Sequence, residues 1–130
     1  MAAHDSPPVQ QAFTVLRVAF TVAPIVAGID KFSQVLVNWD AYLAPQISGF
    51  LRVDPRTFMS IAGVIEIIAG LGVAVKPRIF GHVVALWLAG IIVNLLMTGQ
   101  YYDIALRDLG LCLAAFALGR LGTIFDRRNA

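Results

Sequence analysis

Six polar side chains lie inside long apolar stretches of the sequence or at their ends, where they could bind a ligand or handle protons. They are Arg17, Lys31, Glu66, Asn94, Arg107 and Asp108. A charged side chain within a bilayer costs a few kcal/mol, so each charge requires a partner or a water-filled cavity. Carboxylates in such places can accept and release protons, and Arg or Lys can hold an anion. These six residues are therefore the candidates for ligand binding or proton handling.

Glu66 has two interpretations. It is either ion-paired, with Arg17 as the expected partner, or it is protonated and carries protons. We favour the ion pair. The three bases Arg17, Lys31 and Arg107 balance three acids, Asp30, Glu66 and Asp108. Such a balance is expected if the charges neutralise one another, but it is equally compatible with a structural role in which they hold the helices together.

Sequence motifs for catalysis and for cofactor binding are missing. The chain contains no GxGxxG, GxxxxGK[ST], HExxH or GxSxG pattern, so nucleotide binding and common hydrolytic chemistry have no supporting motif. Cys112 is the only cysteine, which excludes a disulfide, a CxxC redox pair or a thiolate metal site within one chain. His82 is the only histidine in an apolar stretch, which excludes a bis-His haem within one chain. We expect no metal, no cofactor held by this chain alone and no catalysis by it alone.

The composition indicates which elements must position these side chains. Hydrophobic residues make up 58% of the 130 residues and charged residues 14%, and the mean hydropathy is +0.77, outside the range of soluble globular proteins. A bilayer core about 30 Å thick requires about 20 apolar residues in a helix. Four segments approach that length, namely residues 12–29, 58–75, 79–97 and 104–121. We predict an all-α integral membrane four-helix bundle over residues 12–122, a disordered tail over residues 1–11 and a cytoplasmic tail over residues 123–130.

The distribution of basic residues predicts the orientation of the spans. Lys76, Pro77 and Arg78 form a short turn between the second and third spans, which must therefore be an antiparallel hairpin. The side of the membrane with this turn carries five basic residues and the other side three, which places both termini in the cytoplasm. The basic residues form no stripe, so we expect no nucleic-acid partner.

The first connection, residues 30–57, is long for a helical bundle. Trp39, Tyr42 and Phe50 within it suit the outer membrane surface, and we predict an interfacial segment with a short helix lying on the membrane. Helical spacing also gives each span one face of polar and small residues. We expect these four faces to meet at the bundle axis around a polar cavity that opens outward, with Arg17 and Glu66 at its floor.

Several short features occur in a characteristic order over residues 13–122. They are Arg17, Gly28-Ile29-Asp30-Lys31-Phe32, Trp39, Tyr42-Leu43, Glu66, Gly70-Leu71, Asn94 and Arg107-Asp108-Leu109. In this order the chain resembles DoxX-like membrane proteins, four-span bacterial and archaeal proteins that include the DoxD subunit of thiosulfate:quinone oxidoreductase. The resemblance implies a plasma-membrane bundle that acts beside redox partners, with some members linked to quinone or sulfur metabolism. It also implies that Lys31, Glu66, Asn94, Arg107 and Asp108 share an interior site.

Three functional hypotheses follow, of which we favour the first. It is a non-catalytic or accessory subunit of a membrane redox complex, in contact with lipid and with other subunits or further copies of itself. The second is a quinone- or sulfur-compound-handling subunit with a quinone or lipid in the cavity, in which Glu66 and Asp108 manage protons while Arg107 or Lys31 holds an anion. The third is a small oligomeric transporter, which the absence of an inverted repeat disfavours.

Overall fold

The computed structural model of the chain describes residues 6–36 and 38–129, and within these ranges the side chains as far as Phe125. These ranges contain five α-helices, one short 3-10 turn and no strand. The helices are α1 (Pro7–Ser33), α2 (Pro45–Leu51), α3 (Pro55–Val75), α4 (Pro77–Thr98) and α5 (Tyr102–Asn129). The predicted all-α fold is confirmed.

Four helices are long and apolar enough to cross a membrane. They span Pro7–Ser33, Pro55–Val75, Pro77–Thr98 and Tyr102–Phe125. The shortest has 21 residues and is about 31 Å long at 1.5 Å per residue, which matches a hydrocarbon core of about 30 Å. Many of the exposed side chains on these helices are Val, Leu, Ile and Phe, as lipid contact requires. The chain is therefore a multi-pass membrane protein.

Proline lies in the first turn of four helices. Pro7, Pro45, Pro55 and Pro77 occupy these positions in α1 to α4, where a missing backbone N–H removes no helical hydrogen bond and the fixed φ suits a helix. At the other end of α4, Gly99 has a φ of 72°, a left-handed conformation that glycine adopts without steric cost. Local sequence thus sets where these helices begin and where α4 ends.

Glycines bring α1 and α3 together as an antiparallel pair. A Cβ atom on Gly28 would lie 2.5 Å from the carbonyl oxygen of Gly63, and a Cβ atom on Gly70 would lie 2.8 Å from that of Thr21. From the first contact to the second, the position on α1 moves back by seven residues and the position on α3 moves forward by seven. The two helices therefore run antiparallel. Larger side chains at these positions would force the backbones apart, because small residues are what permit close helix approach in a membrane.

A second pair of helices, α4 and α5, also packs through glycines. A Cβ atom on Gly81 would lie 2.6 Å from the backbone nitrogen of Gly119, and a Cβ atom on Gly122 would lie 2.7 Å from that of Arg78. The predicted hairpin of α3 and α4 is present, but α3 packs mainly on α1 and α4 mainly on α5. The bundle is thus built from two tightly packed pairs.

A buried apolar core joins the two pairs. Its members are Phe13, Phe20, Ala69, Val73, Val84, Ala85, Ala115 and Leu118. Phe13 of α1 also stacks on Phe125 of α5, with ring centroids 4.3 Å apart. Aromatic, branched aliphatic and alanine side chains fill this region, so hydrophobic packing joins the two pairs of helices.

Helices α1 and α5 extend further than the predicted spans. α1 begins at Pro7, so residues 7–11 are helical where we predicted disorder, and residues 1–5 lie outside the described part of the chain. α5 continues to Asn129, so residues 123–129 extend the last helix; that they form a cytoplasmic tail stays a prediction, and residue 130 is not described. Apolar composition marks the part of a helix that suits lipid, whereas backbone hydrogen bonding continues into polar flanking sequence.

The connection between α1 and α3 contains a 3-10 turn over Trp39–Tyr42 and the short helix α2. Its position relative to a membrane surface stays a prediction. Gln46 of α2 donates a hydrogen bond to the carbonyl oxygen of Met97 at 3.1 Å, which ties the connection to the end of α4. Phe50 points outward with 86% of its surface exposed.

Candidate functional site

Lys31 of α1 and Glu66 of α3 form an ion pair inside the bundle. Lys31 Nζ lies 2.6 Å from Glu66 Oε1, and the two side chains are 6% and 9% exposed. Away from water, a charged side chain persists only beside a close counter-charge or other polar partners. The ion pair that we favoured for Glu66 is present, and it is enclosed by protein.

The partner of Glu66 differs from the predicted one. Arg17 donates a hydrogen bond to the carbonyl oxygen of Ala74, and its guanidinium lies 5.9 Å from the centroid of the Phe13 ring. Ala74 is eight residues beyond Glu66 on α3, about 12 Å along the helix axis. Helical side chains also tilt toward the N-terminus of their own helix, so Arg17 leans away from Glu66. The predicted pairing of Arg17 with Glu66, and the cavity floor made by both, is wrong.

The indole ring of Trp39 covers the Lys31 ammonium. Lys31 Nζ lies 3.8 Å from the ring centroid, within the range of a cation–π interaction. Trp39 Nε1 in turn donates a hydrogen bond to Asp30 Oδ2 at 2.8 Å. Two adjacent residues of α1 therefore contact one indole, the ammonium of Lys31 through the ring face and the carboxylate of Asp30 through the N–H. The sequence placed Trp39 at the membrane surface and gave no sign of these contacts.

The carboxylate of Asp30, in the last turn of α1, accepts hydrogen bonds from the residues that follow the helix. Its Oδ1 accepts from the backbone N–H groups of Val35 at 3.0 Å and Leu36 at 3.1 Å, and from the Ser33 hydroxyl at 3.3 Å. Gln34, with a φ of 53°, turns the chain back toward the carboxylate. Asp30 is only 5% exposed, and these donors compensate for the removal of its charge from water.

Arg56 connects the start of α3 to the same region. It donates a hydrogen bond to the carbonyl oxygen of Lys31, and its Nε lies 3.7 Å from Asp40 Oδ1. Sequence reasoning missed Arg56 and Asp40 as site residues, because on the sequence they are ordinary charges of a connecting segment. We call the whole group the ion-pair cluster. Its members are Asp30, Lys31, Trp39, Asp40, Arg56 and Glu66.

Asn94 fastens the first connection to α4. Its Nδ2 donates a hydrogen bond to the carbonyl oxygen of Tyr42 at 2.7 Å, and its Oδ1 accepts one from the backbone N–H of Ala44 at 2.8 Å. Both ends of the amide are therefore occupied by backbone groups. The Tyr42 ring also contacts that of Tyr101, with centroids 4.7 Å apart. Asn94 thus positions the connection beside the ion-pair cluster and has no described contact with the charged side chains.

Arg107 and Asp108 form a separate charged pair on α5. Arg107 Nη2 lies 3.4 Å from Asp108 Oδ1, and the two side chains are 67% and 7% exposed. Among the described residues, neither makes a hydrogen bond or an ion pair with Lys31 or Glu66. The structure therefore brings Lys31 and Glu66 together and places Asn94, the Arg107–Asp108 pair and Arg17 in three other environments. The predicted single interior site is divided.

The described residues provide no grouped ligands for a metal ion. No cluster of three or more His, Cys, Asp or Glu side chains occurs there. Cys112 lies in the interface of α4 and α5, where its Sγ donates to the carbonyl oxygen of Ala85 at 3.2 Å. The chemistry available in the described region is therefore that of paired charges, hydrogen bonds and an aromatic cover.

Comparisons with known proteins add no assignment. No family model, no curated protein and no solved structure matches this chain. The resemblance to DoxX-like proteins is therefore carried only by the order of the short sequence features, and it stays a prediction.

Proposed function

We propose that this protein is a non-catalytic, accessory subunit of a membrane redox complex. The observation that carries the proposal is the enclosed Lys31–Glu66 pair, at 2.6 Å and less than a tenth exposed on each side chain. A group that exchanges protons needs a path to water, and a group that binds substrate needs an opening through which the substrate can enter. An enclosed ion pair has neither and serves to join two helices. The redox setting rests on the resemblance to DoxX-like proteins.

The surroundings of the pair support the same interpretation. The carboxylate of Asp30 accepts from backbone, hydroxyl and indole donors, and both ends of the Asn94 amide bind the backbone. Polar groups that are hydrogen-bonded in this way stabilise one arrangement of a fold. We infer a rigid scaffold whose outer faces are available to lipid and to other subunits.

We infer a bacterial or archaeal plasma membrane from the family resemblance, and cytoplasmic termini from the excess of basic residues on the side of Lys76 and Arg78. Cysteine substitutions at Lys76 and at Arg52, labelled in intact cells by a membrane-impermeant thiol reagent, test this orientation after Cys112→Ala removes the native thiol. Labelling at position 52 alone is expected. Labelling at position 76 alone would show the opposite orientation, with the turn between α3 and α4 outside the cell.

Affinity purification tests the accessory role. The full chain with a C-terminal tag is expressed at native level and extracted from native membranes in mild detergent. We expect redox subunits to co-purify in a fixed ratio and to separate from the chain at high salt or in harsher detergent. Recovery of only free chain or homo-oligomer would overturn the proposal.

A second candidate is a site that handles a quinone or a sulfur compound. It is favoured by the Arg107–Asp108 pair, in which a guanidinium that is 67% exposed could hold an anion beside a buried carboxylate. Asp108→Asn and Glu66→Gln distinguish the two candidates when turnover of the parent complex is divided by the amount of assembled complex. An accessory role predicts unchanged turnover per complex in both variants. A decrease of about 100-fold or more in turnover per assembled complex, as expected when a general acid or base is removed, would support the second candidate.

A further inference from the structure

Asn94 sets the height of the connection between α1 and α3. Its Nδ2 donates to the carbonyl oxygen of Tyr42 at 2.7 Å, and its Oδ1 accepts from the backbone N–H of Ala44 at 2.8 Å. Asn94 lies four residues before Thr98, the last residue of α4, which is about 6 Å along the helix axis. Residues 42–44 therefore lie beside the last turns of α4 and not beyond its end.

This height falls within the hydrocarbon core of a bilayer. α4 has 22 residues and is about 33 Å long, whereas the core is about 30 Å thick. The charged turn at Lys76 and Arg78 places one end of α4 at a boundary of the core, so the other boundary crosses the last turn of α4 near Met97. Asn94 and the backbone that it binds lie inside this second boundary, at the depth of acyl chains.

Helix α2 begins at the same depth, because Pro45 follows Ala44 directly. Its two polar side chains each have a hydrogen-bond partner within the chain. Gln46 donates to the carbonyl oxygen of Met97 at 3.1 Å, and the Ser48 hydroxyl donates to the carbonyl oxygen of Pro45 at 3.2 Å. Such internal pairing is what a segment in contact with lipid requires, because lipid tails offer no hydrogen bonds.

The last residues of α2 expose apolar side chains. Phe50 is 86% exposed and Leu51 is 48% exposed. Phe50 follows Gln46 by four residues, so it lies on the face of α2 that is bonded to α4 one turn earlier. At this height α4 also exposes apolar side chains, those of Val93 and Met97. The exposed surface near this end of the bundle is therefore suited to acyl chains.

We propose that Phe50 and Leu51 insert among the acyl chains of the adjacent leaflet, so that α2 anchors the connection in lipid. This position is deeper than that of a helix lying on the membrane surface. Arg52, exposed and directly after α2, has a side chain long enough to keep its charge among the headgroups. A protein partner would also use directed polar contacts, and the polar side chains of α2 are already bonded within the chain. The anchor does not depend on the proposed role in a redox complex.

Spin labels on the purified full chain test the proposal. Three single cysteine variants, Phe50→Cys, Arg52→Cys and Leu86→Cys, are made after Cys112→Ala and reconstituted in vesicles of phosphatidylcholine and phosphatidylglycerol. Leu86 is the reference for lipid contact, because it is 76% exposed in the middle of α4. Relaxation of each label is measured with oxygen, which dissolves among acyl chains, and with a water-soluble nickel chelate.

We expect oxygen to relax the label at position 50 more strongly than the nickel chelate does, as at position 86, and the order to be reversed at position 52. Relaxation at position 50 by the nickel chelate as strong as that at position 52 would place α2 in water and overturn the anchor. Protection of position 50 from both reagents would also overturn it, by showing contact with protein, such as a second copy of the chain. Circular dichroism confirms that each variant keeps its helices.

Discussion

Lys31 Nζ reaches Glu66 Oε1 at 2.6 Å although the two residues lie at different heights in the bundle. The contact of Gly28 with Gly63 sets Lys31 opposite about residue 60 of α3, so its Cα is about 9 Å along the axis from that of Glu66. Each side chain tilts toward the N-terminus of its own helix, and in an antiparallel pair the two tilts converge. The same rule turns Arg17 away from Glu66.

A double-mutant cycle on this pair should show strong coupling. Lys31→Met or Glu66→Gln alone leaves one buried charge without its partner, and each is expected to lower the free energy of unfolding by about 3–5 kcal/mol. The double variant should be much closer to the parent chain, because no lone charge remains. Unfolding in detergent is followed by circular dichroism. Additive losses in the double variant would show that the two residues do not stabilise each other.

Gly28→Ala should disrupt the packing of α1 on α3. The new Cβ atom would lie 2.5 Å from the carbonyl oxygen of Gly63, and overpacking of this kind costs about 1–3 kcal/mol. Gly110→Ala is the control, because a Cβ atom there meets nothing within 4 Å and alanine favours a helix. Thermal unfolding in detergent should therefore show a lower midpoint for Gly28→Ala only. Equal midpoints would show that the close contact of Gly28 with Gly63 does not contribute to stability.

The four spans could be predicted from the sequence because apolar composition over about 20 residues is a strong local signal. That Glu66 needs a partner could also be predicted, because it is a carboxylate within an apolar span. The identity of the partner could not, because helical spacing gives the face of a residue but not the relative height of two helices. The contacts of Trp39 depend on the left-handed backbone conformation of Gln34 and on the folding of the connection between α1 and α3. Irregular connections have no periodic sequence pattern from which such contacts could be predicted.

Asn94→Leu should release the first connection from α4. The substitution leaves the backbone N–H of Ala44 without its acceptor, and Ala44 is fully buried, so the expected cost is about 1–3 kcal/mol. Hydrogen exchange of residues 42–44 should accelerate, while exchange in α3 changes little. Gln46→Ala is the control, since it removes an exposed hydrogen bond to Met97. Comparable acceleration in both variants would mean that Asn94 has no special part in fastening the connection.

Asp30→Asn should loosen the cover over Lys31. The amide group of asparagine can replace only one acceptor oxygen, so either the backbone N–H groups or the Trp39 indole N–H lose their partner. With Trp87→Phe as background, Trp39 fluorescence should shift to longer wavelength and become more accessible to acrylamide. Asp103→Asn at the exposed start of α5 should leave the emission unchanged. Unchanged emission in Asp30→Asn would contradict the indole contact.

Asp54 gives the start of α3 a dependence on pH. The Thr57 hydroxyl at 2.9 Å and the Arg56 backbone N–H at 3.3 Å donate to its carboxylate, and these hydrogen bonds hold its pKa below the ordinary value of 3.8. A pKa that is lower in the folded state contributes stability above the unfolded value, and that contribution is lost as pH falls through the folded value.

The unfolding midpoint of the parent chain should therefore decline below about pH 4, where Asp54 begins to take up a proton in the unfolded chain. Asp54→Asn keeps a side-chain oxygen that can cap the helix but cannot titrate. The difference in midpoint between parent and variant should favour the parent at pH 6 and shrink as the pH approaches 2.5. A difference that stays constant across this range would show that the ionised carboxylate adds nothing to the cap.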